Sequence, residues 1–152
     1  MKLQKQPNRA SCLITAVAMC LDIPVAELFE ELDHDGTFKL FPNREVPQCY
    51  RGFHESEIAY LCHSNSHTFT RMDRHIFMGY DECSETEVNP PYIFDYLLSN
   101  MGVLTCPQTS THAHGHAVAW DGHKIFDPNG TIVDYFGIWS TFYVIKPFAE
   151  LS

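Results

Sequence analysis

No run of about 18 apolar residues occurs in the 152-residue chain, so nothing in it reads as a membrane-spanning helix. No CxxC pair occurs either, and the six cysteines (Cys12, Cys20, Cys49, Cys62, Cys83, Cys106) are too irregularly spaced for a disulfide framework. Positive charge is scarce: 10 Lys and Arg against 19 Asp and Glu give a formal charge of −9, and the cations are scattered, which argues against nucleic acid and anionic membranes as partners. The opening residues lack the apolar stretch of a secretory signal, so the expected location is a reducing cytoplasm. Neither an internal repeat nor a low-complexity segment is present. What remains, 45% hydrophobic and 19% charged residues, suits one folded domain over residues 1–152.

Ile14, Val17, Ala18 and Leu21 recur at helical spacing, which predicts a helix over 11–21 with Ser11 as a candidate N-cap and Cys12 in its first turn. Pro24 opens a second helix over 24–32, striped by Val25, Leu28, Phe29 and Leu32 and stopped by His34-Asp35-Gly36. Residues 36–54, punctuated by Gly and Pro, read as a long connection or short edge strands. Helices are expected again over 55–63 and 92–99, with one strand over 68–72 and an acidic loop over 81–89 between them. From residue 103 the period becomes that of strands, expected over 103–106, 115–120, 124–127 and 139–146. Helices first and strands last imply an α+β fold in which N-terminal helices pack on a C-terminal antiparallel sheet.

Asp121-Gly122 between two apolar runs predicts a two-residue hairpin turn. With that turn Trp120 pairs with His123, and His116 stands directly opposite Asp127 on one face, within reach of a carboxylate–imidazole hydrogen bond. Such a carboxylate orients the ring and stabilises imidazolium. A thiol in the first turn of a helix, as Cys12 is expected to be, lies at the positive end of the dipole, which favours thiolate. Gln6, six residues earlier across a Pro-Asn turn, can lend an amide N–H to an oxyanion beside the backbone N–H of Cys12. Gln6, Cys12, His116 and Asp127 are therefore the candidate catalytic set.

A Gln six residues before a helix-initiating Cys, a late strand His, and an Asp-Pro ending the next strand resemble papain-like cysteine peptidases of the bacteriocin-leader-processing type. Gln6-Pro7, Ser11-Cys12-Leu13, residues 21–28, His34-Asp35-Gly36, Arg51-Gly52-Phe53-His54, residues 115–122 and Asp127-Pro128 with Gly130 resemble, more closely, a group of small phage-encoded proteins of that type. The resemblance implies a papain-like fold, no cofactor, a peptide or protein substrate and thioester acyl transfer. In it Cys12 is the nucleophile, His116 the base and then acid, Asp127 the orienting carboxylate, and Gln6 the oxyanion donor. Many relatives carry Gly after the Cys, whereas Leu13 here narrows the approach to the thiol. Deamidation of glutamine, isopeptide cleavage and acyl transfer to an amine use the same centre. A phage protein that merely binds a host factor with this fold would need none of it.

His112, His114 and His116 stand at alternate positions, as metal ligands on an extended segment would, yet a fourth ligand has no obvious source. Cys62-His63 with His67 lacks a second cysteine at zinc-finger spacing. Cys20 and Cys106 read as core thiols. His34 and His54 read as pins for the 36–54 connection, and residues 81–87 as a solvated acidic loop. Trp120, on the His116 face, is a candidate wall of the site, as is Leu13.

Overall fold

The computed structural model describes residues 1–37, 52–74, 80–81, 86–87, 92–106, 116–135 and 139–151. Helix α1 (Cys12–Leu21) is buried at every residue from 14 to 21, the pattern of a helix enclosed by its neighbours rather than laid on a surface. Asp22 ends it in a left-handed conformation at φ 56°. Helix α2 (Val25–Leu32) follows Pro24 and buries Val25 and Leu28. Helix α3 (Glu55–Ser64) buries Ile58, Leu61 and Cys62. All three contribute to one apolar cluster together with Val103, Ala117, Ala119, Phe126, Tyr143 and Ile145.

Those last six residues are alternate positions of a six-stranded antiparallel sheet, ordered β1-β8-β4-β5-β6-β7. Its strands are β1 (His67–Asp73), β4 (Gly102–Cys106), β5 (His116–Trp120), β6 (Lys124–Asp127), β7 (Thr131–Asp134) and β8 (Thr141–Pro147). The intervening positions Leu104, Val118, Trp120, Ile125, Phe142 and Val144 form a second cluster with Trp139 and with Leu97 of helix α4 (Tyr92–Leu98). Alternation along a strand sends successive side chains to opposite faces. The sheet therefore has apolar cover on both sides, α1 to α3 on one and α4 on the other. A short 3₁₀ turn (Phe148–Leu151) follows β8.

The expected α+β class holds, with four differences of detail. The strand expected before the last helix, β1, joins the C-terminal sheet at its edge beside β8 rather than standing apart from it. Within the expected acidic loop, β2 (Tyr80–Asp81) pairs with β3 (Thr86–Glu87); residues 82–85 and 88–90 lie outside the described residues, as do 38–51 of the long connection. Strand β7 was not expected: it is four residues long and exposed throughout, so no inward-facing apolar position marks it. Its signal was Asn129-Gly130 followed by the β-branched run Thr131-Ile132-Val133.

The fourth difference is the hairpin register. Trp120 pairs with Ile125 and Ala119 with Phe126, so the turn centres on Gly122-His123 rather than on Asp121-Gly122. Asp121 flanks the turn and its Oδ1 accepts the N–H groups of His123 at 2.8 Å and Lys124 at 2.7 Å, contacts it can make only from outside the loop. Gly122, at φ +102°, takes the first central position, where a positive φ is required. The shift amounts to two residues, which preserves the face each side chain occupies; a slip of one would have reversed it. His116 and Asp127 thus stay on a common face as diagonal rather than direct neighbours.

Candidate active site

The segment before α1 is folded around Asn8. Its Oδ1 accepts the Ala10 N–H at 2.8 Å, its Nδ2 donates to the Asp35 carbonyl at 3.0 Å, and its own carbonyl accepts the Ser11 hydroxyl at 2.9 Å. Ser11 is fully buried and occupies the N-cap position, yet its hydroxyl turns back to Asn8 instead of capping α1 as expected. This compact turn delivers Cys12, half-buried, to the first position of the helix.

His116 opens β5 and Asp127 closes β6, and His116 Nε2 lies 2.8 Å from Asp127 Oδ1. The Cys12 thiol also acts on this ring, in the direction that favours the charged imidazole. Both side chains are shielded, at 14% and 16% exposure. The Asp127 hydrogen bond and then the Cys12 hydrogen bond push the His116 imidazole up to about 9, against the opposing effect of burial. Asp127 is itself held, since its Oδ1 also accepts the Asn129 N–H at 2.9 Å in the turn after β6. Gln6 joins the cluster through its backbone, whose N–H donates to the Pro128 carbonyl at 2.7 Å. Its side-chain Nε2 donates to the Asn8 carbonyl at 2.8 Å. An amide nitrogen carries two protons, and this contact uses one.

Cys12, His116 and Asp127 thus interact as one group, with Gln6 anchored beside Asp127 through Pro128. Leu13 follows Cys12 and packs partly buried against the helix-side core. Trp120 is not brought to the cluster. It ends the same strand, roughly 13 Å further along by strand rise. Buried at 2% exposure, its indole N–H donates to the Leu97 carbonyl at 2.7 Å, so it is core under α4 rather than a wall.

Two residues of the cluster were not singled out from sequence. Asn8 carries no chemistry of its own, and only the Pro-Asn pair hinted at a turn there. Cys106 was expected in the core, but it stands directly across from His116 on β4 and is half-buried. Burial first, then the charges of Asp127 and Cys12, push its thiol up to about 11. By contrast Cys20 is fully enclosed and donates to the Gly102 carbonyl at 3.2 Å, as a core thiol should. His34 does act as a pin: its Nε2 contacts Glu57 Oε2 at 2.5 Å, its Nδ1 accepts the Gly36 N–H at 3.1 Å, and its ring stacks on Phe53. Glu57 also accepts the His54 N–H at 2.9 Å. Among the described residues no group of three or more His, Cys, Asp or Glu side chains is arranged to hold a metal ion; His112 and His114 lie outside them.

An enclosed helix that begins with a cysteine, packed on an antiparallel sheet that carries a paired histidine and aspartate, defines the papain-like α+β fold. Among solved structures the chain is similar to the peptidase domain of Streptococcus ComA, a bi-functional ABC transporter involved in a quorum-sensing pathway. The TM-score is 0.52 with 12% identity, over 96% of this chain and 98% of that one. At this identity the likeness is one of fold. No family model and no curated protein matches the chain.

Proposed function

We propose that the protein is a cysteine peptidase-like hydrolase acting on a peptide or amide bond by thioester acyl transfer. The observation that carries this reading is the His116–Asp127 pair at 2.8 Å, with Cys12, the first residue of α1, acting on the same imidazole. In the reaction Cys12 Sγ attacks the carbonyl carbon, forming the C–S bond and leaving negative charge on oxygen. The Gln6 amide and the Cys12 backbone N–H stabilise that oxyanion. His116, protonated at neutral pH by its raised value, gives its proton to the departing amine as the C–N bond breaks. Water then adds to the thioester with His116 as base, the acid is released, and the sulfur leaves. Asp127 holds the ring throughout and stabilises its charged form.

The finer reading, that the chain is a phage-encoded relative of leader-processing peptidases working on a host or phage protein in the host cytoplasm, is supported by the motif resemblance. The test is to incubate wild type and Cys12→Ala with a proteome-derived peptide library and compare products by mass spectrometry. New peptide termini made by wild type alone are the expected result. Glutamine-to-glutamate conversion without new termini would make the protein a deamidase, and amine conjugates a transferase. Identical products from the two proteins would overturn catalysis and favour the host-factor-binding role.

A further inference from the structure

We infer that Asn8 is a positioning residue for the oxyanion site, acting through the side-chain amide of Gln6; the inference rests on the acyl-transfer reading above. Gln6 is flexible by nature, with three side-chain torsions before its amide, and a donor that must meet a developing charge has to be fixed beforehand. Two contacts fix it. Its backbone N–H is tied to the Pro128 carbonyl at 2.7 Å, and its Nε2 donates to the Asn8 carbonyl at 2.8 Å.

The direction of that carbonyl is set in turn by the Asn8 side chain. Oδ1 closes a turn onto the Ala10 N–H, while Nδ2 reaches the Asp35 carbonyl beyond α2, so the side chain is held at both ends of its amide. The far anchor is itself fixed, because His34 is clamped between Glu57 and the Gly36 N–H, and Gly36 accepts the Gly52 N–H at 2.8 Å. With one Gln6 proton held by Asn8, the other is directed by default, and the hole comes prearranged. The backbone of Ser11, which leads into Cys12, hangs from the same residue through Ser11 Oγ. Asn8 touches neither substrate nor the reacting atoms in this scheme.

The separation is between chemistry that makes an oxyanion and chemistry that does not. N-Acetylglycinal labelled with ¹³C at the aldehyde carbon adds to Cys12 as a hemithioacetal whose oxygen occupies the oxyanion position. Iodoacetamide alkylates Cys12 by displacement, with no such oxygen. Gln6→Ala is expected to weaken hemithioacetal formation ~100-fold, the usual scale for loss of one oxyanion donor. Asn8→Ala should weaken it about tenfold while Cys12 alkylation stays within about twofold of wild type. The double variant should be no weaker than Gln6→Ala alone, because a residue acting through Gln6 has nothing left to position.

Asn8→Asp, which keeps the acceptor for Ala10 and loses the donation to Asp35, provides the same comparison if Asn8→Ala does not fold. An Asn8 effect that adds fully to that of Gln6→Ala, or no Asn8 effect at all, overturns the inference and leaves the acyl-transfer reading intact. Wild type that forms no hemithioacetal at Cys12 overturns both.

Discussion

Asp127→Asn is expected to bring the His116 titration down from about 9 by more than a unit, toward the ordinary value of 6.5. The hydrogen bond to Asp127 is the largest cause of the raised value and its charge adds to it, whereas burial works the other way. Removing the carboxylate charge therefore takes away the largest influence opposing burial. The titration is read from the imidazole Cε1–H resonance in ¹³C-histidine-labelled protein, with His116→Gln identifying the signal among nine histidines.

Stability should follow with a definite sign. A group whose folded value is raised stabilises the fold fully below its unfolded value and loses that contribution as pH rises through the folded one. For His116 that window runs from 6.5 to about 9, and the contribution at stake is at most about 3 kcal/mol. Urea unfolding of wild type should weaken across that range, and Asp127→Asn should flatten the profile. Iodoacetamide labelling at neutral pH supplies a third reading. Cys12 should react at least about 100-fold faster than Cys62 or Cys106, whose thiols burial pushes up to about 12 and about 11. A wild-type His116 that titrates near 6.5, with Cys12 no faster than those thiols, would mean that the Cys12–His116–Asp127 group does not form in solution.

Gly102→Ala should cost about 3 kcal/mol or more and produce largely unfolded protein. A Cβ at that position would lie 2.0 Å from the Tyr143 carbonyl oxygen and 2.9 Å from the Phe142 ring. Overpacking usually costs about 1–3 kcal/mol because side chains can move aside. Here the obstacle is backbone in the paired strand β8, and Gly102 sits between Trp120 on β5 and Val144 on β8. Its carbonyl also receives the buried Cys20 thiol of α1, so displacing it disturbs the helix that presents Cys12. Chemical unfolding followed by tryptophan fluorescence measures the loss, and a cost under about 1 kcal/mol would show that β4 and β8 can separate without penalty.

The hairpin shows how the sequence could mislead about pairs and still be right about faces. Asp121-Gly122 marked a turn correctly, but which two residues sit at its centre depended on the Asp121 carboxylate reaching the His123 and Lys124 N–H groups. The error was two residues, so His116 and Asp127 remained neighbours on the predicted face. Trp120 was placed with His116 by the same alternation, and that was insufficient, because sharing a face says nothing about distance along the strand or about which helix covers that end. The reverse failure is Cys106: its strand was legible, but its position beside His116 follows only from β4 pairing with β5.

The sequence by itself determined the principal helices and strands, the region of the Asp121-Gly122 turn, and the functional groups that Gln6, Cys12, His116 and Asp127 bring, because periodicity, glycine placement and side-chain chemistry are local properties of the chain. Only the tertiary structure decided that β8 lies between β1 and β4, that Cys106 flanks the imidazole, that Trp120 belongs to the α4 side, and that Asn8 ties the Cys12 turn to the end of α2. Those facts rest on contacts between segments distant in sequence, set by packing two apolar clusters against one sheet and by satisfying the polar groups left at its ends.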